Sequence, residues 1–111
     1  MLSNLPYKGT NDYLPEDFQK LQYIFSKWRE VSRKYGYKEY LTPVLEYAEI
    51  YEEKSGEDIK RELFTLTDSG DRRLSLRPEM TPSVTRLVTK VYGKEIKPIR
   101  YFSIANFFRG E

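Results

Sequence analysis

Glu79, Thr81 and Arg109 are the residues of this 111-residue sequence whose types and settings best suit binding chemistry. Glu79 and Thr81 lie in Leu76-Arg77-Pro78-Glu79-Met80-Thr81-Pro82, where an apolar strand gives way to a helix. Ligands of α/β folds bind at such junctions. A carboxylate there can receive a ligand's ammonium group, or it can simply stabilise the positive end of the helix dipole. Thr81 reads either as a ligand contact or as a plain N-cap hydroxyl. Arg109 ends the apolar run 99–108, where a guanidinium can meet a phosphate bidentately or stand as a solvated charge. The adjacent cations Arg72 and Arg73 read as a solvated hairpin tip.

Composition narrows the chemistry. The sequence contains neither Cys nor His, which removes disulfides, thiolate metal sites, cysteine nucleophiles and the commonest general base. No resident metal is expected. Nineteen basic against 17 acidic residues leave a net charge of +2, too little to draw the whole chain onto RNA or an anionic membrane. Hydrophobic content of 39%, with 10 Tyr, is that of a globular chain with a core. The N-terminus has no signal-peptide or transit pattern, and no apolar run is long enough to span a bilayer, so a soluble, cytoplasmic protein without a membrane partner is expected.

The elements that must position these residues follow from periodicity. Leu14-Pro15-Glu16-Asp17 starts a helix, with Pro in the first turn and acids near the dipole's positive end. Phe18, Leu21, Phe25, Trp28, Val31 and Tyr35 recur every three or four residues as an apolar stripe, and Gly36 ends the helix. That stripe predicts a core face, with Trp28 among the buried aromatics. Residues 37–41 predict a short strand stopped by Pro43, residues 47–54 a weaker helix, and residues 55–58 a loop. Leu63–Thr67 and Leu74–Leu76 alternate apolar with polar residues around Asp68-Ser69-Gly70-Asp71, which predicts an antiparallel hairpin. Thr81-Pro82 predicts a helix start with Thr81 as cap, and Val84, Leu87, Val88 and Val91 form its apolar face. Residues 99–108 predict a central strand covered on both sides.

In this order the segments resemble the start of the catalytic domain of the histidyl-tRNA synthetases, a class II aminoacyl-tRNA synthetase family. Lys8-Gly9-Thr10-Asn11-Asp12-Tyr13-Leu14-Pro15 is similar to that family's N-terminal signature. Tyr35-Gly36-Tyr37 through Thr42-Pro43-Val44-Leu45-Glu46 looks like motif 1, which with the preceding helix forms much of the family's dimer interface. Residues 76–81 resemble the histidine-binding segment, and Phe108-Arg109-Gly110-Glu111 the opening of motif 2. Four motifs in register make chance similarity improbable.

The resemblance implies an α+β fold, with a mixed, mainly antiparallel sheet flanked by helices, as a truncated catalytic domain over residues 1–111. It implies that Glu79 and Thr81 engage the α-amino group of histidine, and that Arg109 contacts the α-phosphate of ATP and the substrate carboxylate. Glu111 would approach adenine. Histidine and ATP are the implied ligands, with Mg arriving with the nucleotide, tRNA the partner of the full-length family and a homodimer the assembly. The sequence departs from the family at Met80, where bacterial members commonly have Gly, and at Gly110, where a bulkier residue is usual. The rest of motif 2, motif 3 and the anticodon-binding domain have no counterpart in these 111 residues, so a ligase part inactive by itself is expected. Two other readings stand beside it: the synthetase-like regulatory subunit of ATP phosphoribosyltransferase, a binding module, and a structural piece that only associates with other chains.

Overall fold

The structure, a computed structural model, describes residues 3–53 and 57–110, with only the backbone of Asp58 and Ile59. The chain divides into two units, residues 1–38 and 39–111.

The first unit is built on α1 (Pro15–Lys34), 20 residues long. Pro15 opens it and Glu16 and Asp17 occupy its first turn, while Arg33 and Lys34 face the negative end of the dipole. Gly36 follows with φ +80, the left-handed conformation that glycine adopts without a steric penalty. The boundaries agree with the sequence, but the core face does not. No residue of α1 is buried, and Trp28 is 53% exposed. Periodicity places apolar residues on one side of a helix without supplying anything to cover them.

In the second unit, β2 (Leu45–Tyr47), β3 (Phe64–Thr67) and β4 (Arg73–Leu76) form an antiparallel sheet in the order β2-β4-β3. The β3–β4 hairpin was legible from its alternation. Its turn is held by Asp68, whose Oδ1 accepts the N–H groups of Gly70 and Arg72 at 3.0 and 2.9 Å. Asp71 takes φ 60, a region that Asp tolerates better than most residues. Strand β2 was not expected, because its pattern is inverted: Glu46 is buried between exposed Leu45 and Tyr47. Register places Glu46 opposite Ser75, and both withdraw from solvent on the same face. The opposite face carries the rows Leu45–Leu76–Phe64 and Tyr47–Leu74–Leu66, half open to solvent. The polar side of this sheet is therefore its interior.

Short helices α2 (Glu49–Glu52) and α3 (Glu57–Glu62) link β2 to β3. α3 corrects the expected loop over residues 55–58, since helix begins at Glu57; Ser55 and Gly56 lie outside the described residues. Among the described residues Ala48 and Tyr51 are the buried hydrophobic ones. Helix α4 (Thr81–Val91) ends at Val91, just before Gly93, as its apolar spacing indicates. Its first residue is Thr81 itself and its flanking residue is Met80, with no side-chain cap, so the expected Thr81 cap is absent. Instead, Val84 N–H bonds the Met80 carbonyl at 2.9 Å.

The expected central strand over residues 99–108 shrinks to β5 (Tyr101–Phe102), half-buried and paired in a two-stranded sheet with β1 (Lys38–Glu39). Tyr40 N–H donates to Phe102 C=O at 3.0 Å. Beyond β5 the backbone makes single bonds to two different segments rather than a ladder: Phe108 N–H to Arg77 C=O at 2.9 Å and Gly110 N–H to Glu62 C=O at 2.8 Å. An apolar run alone does not form a strand; consecutive partners do.

Candidate active site

The site candidates converge where β4 runs out. Pro78 is fully buried, Glu79 and Met80 are half-buried, and α4 begins at Thr81, which is exposed. Arg109 reaches this turn from residues far along the chain, its Nε donating to Pro78 C=O at 3.2 Å. A guanidinium is thereby anchored to the backbone of the residue before Glu79. Among the described residues Glu79 forms no ion pair, and neither does Arg109. The turn thus offers a carboxylate that could receive an ammonium group, and bonded to the same turn a cation that could meet an oxyanion. Glu111 lies outside the described residues.

Two buried polar centres hold this turn, and neither was singled out from the sequence. The first is Arg77, 3% exposed. Its backbone N–H donates to Val44 C=O at 3.0 Å and its carbonyl accepts from Phe108 N–H at 2.9 Å. Its Nη1 donates to Thr42 C=O at 2.8 Å and its Nε to Asn106 C=O at 2.9 Å. The Phe107 ring lies 5.8 Å from the guanidinium. Arg77 therefore grips segments 42–44 and 106–108 with both main chain and side chain. Burial raises the pKa of the neighbouring Tyr40 hydroxyl, and the Arg77 charge partly offsets that rise.

The second centre is Glu46, buried on β2. Its two carboxylate oxygens accept from Arg86 Nη1 and Nη2 at 2.6 and 2.9 Å, a bidentate pair, and Oε2 also accepts from Ser83 Oγ at 2.6 Å. Both donors stand on α4, so Glu46 ties the helix that starts at Thr81 to the sheet. The same bonds raise the pKa of Arg86. Tyr51, fully buried nearby, has its phenol pKa raised chiefly by burial. The signal that could have revealed Glu46 is the acid between two apolar residues directly after Pro43-Val44; read as motif alone, it carried no hint of burial.

The two departures from the family pattern take physical form. Met80 packs its thioether against Thr42, whose Oγ1 approaches Sδ at 3.5 Å, so the residue fills space over the 42–44 corner. At Gly110 an added Cβ would meet Glu62 O at 3.5 Å and the Phe64 ring at 3.6 Å, ordinary contact distances. Space does not dictate glycine there. Arg72 and Arg73, expected as a solvated tip, are more than half exposed but paired: Arg72 Nε with Asp68 at 2.7 Å in the turn, and Arg73, already on β4, with Glu52. Among the described residues no group of three or more Asp or Glu is arranged to hold a metal ion, and no helix is long and apolar enough to cross a membrane.

Known proteins are similar to this chain over nearly its whole length. A histidine–tRNA ligase of Pyrococcus horikoshii is 48% identical over 104 residues, 94% of this chain and 24% of that protein. The apo histidyl-tRNA synthetase of S. aureus superposes with a TM-score of 0.81 at 35% identity, over 97% of this chain and 30% of that one. A Bacillus halodurans protein described as an ATP phosphoribosyltransferase regulatory subunit/histidyl-tRNA synthetase superposes with a TM-score of 0.84 at 30% identity, over 98% of this chain and 28% of that one. The chain thus spans about a quarter of the length of the relatives it matches. The family profile described as histidyl-tRNA synthetase matches residues 9–111, and with its helix, hairpin and strand-to-helix turn in the same order the chain belongs to the histidyl-tRNA synthetase family.

Proposed function

We propose that this chain supplies the part of a histidine–tRNA ligase site that holds the α-amino group of histidine and the α-phosphate of ATP. The reading rests on one observation above all: Arg109 is bonded to Pro78 C=O, which ties its guanidinium to the turn that carries Glu79. In the reaction, the histidine carboxylate attacks the α-phosphorus, pyrophosphate leaves and histidyl-adenylate forms for transfer to tRNA. Glu79 and Thr81 orient the amino group, while Arg109 neutralises charge building on the α-phosphate oxygens and the attacking carboxylate. Glu111 approaches adenine. Such catalysis is positioning and charge neutralisation, with Mg carried in by the nucleotide. Resident metal chemistry plays no part in this reading. The setting is cytoplasmic, and the chain pairs with a second copy through the 35–46 region and α1.

Equilibrium dialysis with ATP tests the site directly. The chain is expected to bind ATP weakly and Arg109→Ala to weaken that binding about tenfold or more, while histidine-dependent exchange of pyrophosphate into ATP stays near background. Equal ATP binding by wild type and Arg109→Ala would remove Arg109 from the site. Robust exchange lost in that variant would mean that these residues, or a dimer of them, suffice for turnover.

The likeness to the Bacillus halodurans protein keeps a second reading in view, a regulatory binding module without ligase activity. Glu79, Thr81 and Arg109 together favour the ligase, because a module that only regulates has no need of both an ammonium and a phosphate contact. Histidine binding that survives Arg109→Ala, in a chain that never binds ATP, would favour the module.

A further inference from the structure

We infer that Arg77 is a positioning residue that sets Arg109 against the Glu79 turn, so that the amino-group and phosphate contacts are held in one register by a single buried side chain. The inference rests on the proposed function for its consequence, though not for its geometry. Residue 77 lies two positions before Glu79, and it bonds the backbone on both sides of Phe107: Nε to Asn106 C=O at 2.9 Å, and its own carbonyl from Phe108 N–H at 2.9 Å. Arg109 is the next residue. With 106 and 108 fixed, Arg109 has little choice but to leave the backbone beside Pro78, where its Nε finds the carbonyl. The bond from Nη1 to Thr42 C=O extends the same grip to the 42–44 corner, against which Met80 packs.

Only a guanidinium makes this arrangement. The two carbonyls are met by different nitrogens of one rigid plane, and a Lys ammonium is a single point on a flexible stem. A cation buried to 3% exposure costs free energy unless it is well bonded. The same place could be filled by an apolar residue if packing were all that mattered. Displacing a contact residue by about an ångström is enough to cost catalysis, which is the use of so rigid a support.

The experiment uses the whole chain with Arg77→Lys and with Arg77→Met, the latter keeping an apolar stem. Hydrogen exchange by NMR reads the geometry, with the Ala48 amide, bonded to Arg73 C=O at 3.1 Å, as the internal control. Phe108 N–H is expected to lose about tenfold or more of its protection in both variants while Ala48 changes much less. Equal loss at the two amides, or none at Phe108, overturns the inference. ATP titration reads the consequence: Arg77→Lys weakens binding about tenfold when Arg109 is present and adds nothing in an Arg109→Ala background, the pattern of a residue acting through another. Equal weakening in both backgrounds marks a merely structural role and overturns it. If wild type binds no ATP, the proposed function fails, yet the Phe108 result still decides the geometry. Should neither variant fold, the wild-type chain answers, because Arg77 Nε–H and Phe108 N–H must then open to exchange as one unit; separate opening rates overturn the inference.

Discussion

Helix α1 leaves Phe18, Trp28 and Val31 at 47%, 53% and 55% exposure, whereas the β2–β4–α4 region withdraws Glu46, Ser75, Arg77 and Ser83 to 6% or less. The first region follows the apolar pattern of its sequence and buries none of its residues fully, Leu21 and Phe25 being half-buried; the second buries what the pattern would have left outside. The two are stabilised differently. Apolar area contributes only when it leaves water, at about 25 cal/mol per Å², so the α1 stripe adds little to this chain's own stability. Buried polar groups are costly unless each finds a partner, and at Glu46 and Arg77 they do, through short and specific bonds. A satisfied polar centre fixes direction as well as distance, which suits the region proposed to aim side chains at a ligand.

The sharpest way to break this comparison is to remove the carboxylate of Glu46. Glu46→Ala leaves Arg86 and Ser83 without their acceptor, and a loss of about 3 kcal/mol is expected, read as a lowered urea midpoint. An unchanged midpoint would show that the buried centre does not support the fold. Next in size is Arg109→Ala, expected to weaken ATP binding about tenfold or more, about 1.4 kcal/mol, with the urea midpoint within error of wild type because this side chain is exposed. A large fall in stability would make Arg109 a structural rather than a ligand-facing residue.

Trp28→Ala is expected to cost less than about 1 kcal/mol in the monomer, as for an exposed position. Periodicity alone placed Trp28 in a core, where the loss would reach about 3 kcal/mol. The same substitution is expected to reduce self-association at micromolar concentration in sedimentation, since an uncovered apolar stripe suits contact with another copy. A wild-type chain that remains monomeric would separate the stripe from any dimer.

The smallest effect concerns the hairpin turn. Backbone bonds from Arg72 and Gly70, with the Arg72 guanidinium, hold the Asp68 carboxyl below its ordinary pKa. A carboxylate whose pKa is lower folded than unfolded adds stability that is full above the unfolded pKa and disappears as pH falls through the folded value. Acid titration is therefore expected to lower wild-type stability slightly more, below the ordinary Asp range, than that of Asp68→Asn. Parallel curves would show that the turn's geometry, not the charge, does the holding.

Local signals determined much of this protein. Pro15 with Glu16 and Asp17 began α1 where the sequence indicated, Gly36 closed it, and Asp68-Ser69-Gly70-Asp71 turned the hairpin, because caps, dipoles and turn residues act within a few positions of themselves. The motifs around residues 8–15, 35–46, 76–81 and 108–111 likewise carried the family, which the matching relatives share. What the sequence left undecided was coverage and convergence. Whether the α1 stripe is buried, which face of β2 is inside, and whether residues 99–108 form a ladder depend on partners distant in the chain, and periodicity is silent about partners. Thr81 was read as a cap because a hydroxyl before Pro usually is one; the helix begins one residue earlier than that reading requires. From sequence alone Arg77 has no role of its own within the stretch 76–82. Only tertiary structure, by bringing Thr42 and Asn106 to the same guanidinium, made Arg77 the tie between segments 42–44 and 106–108.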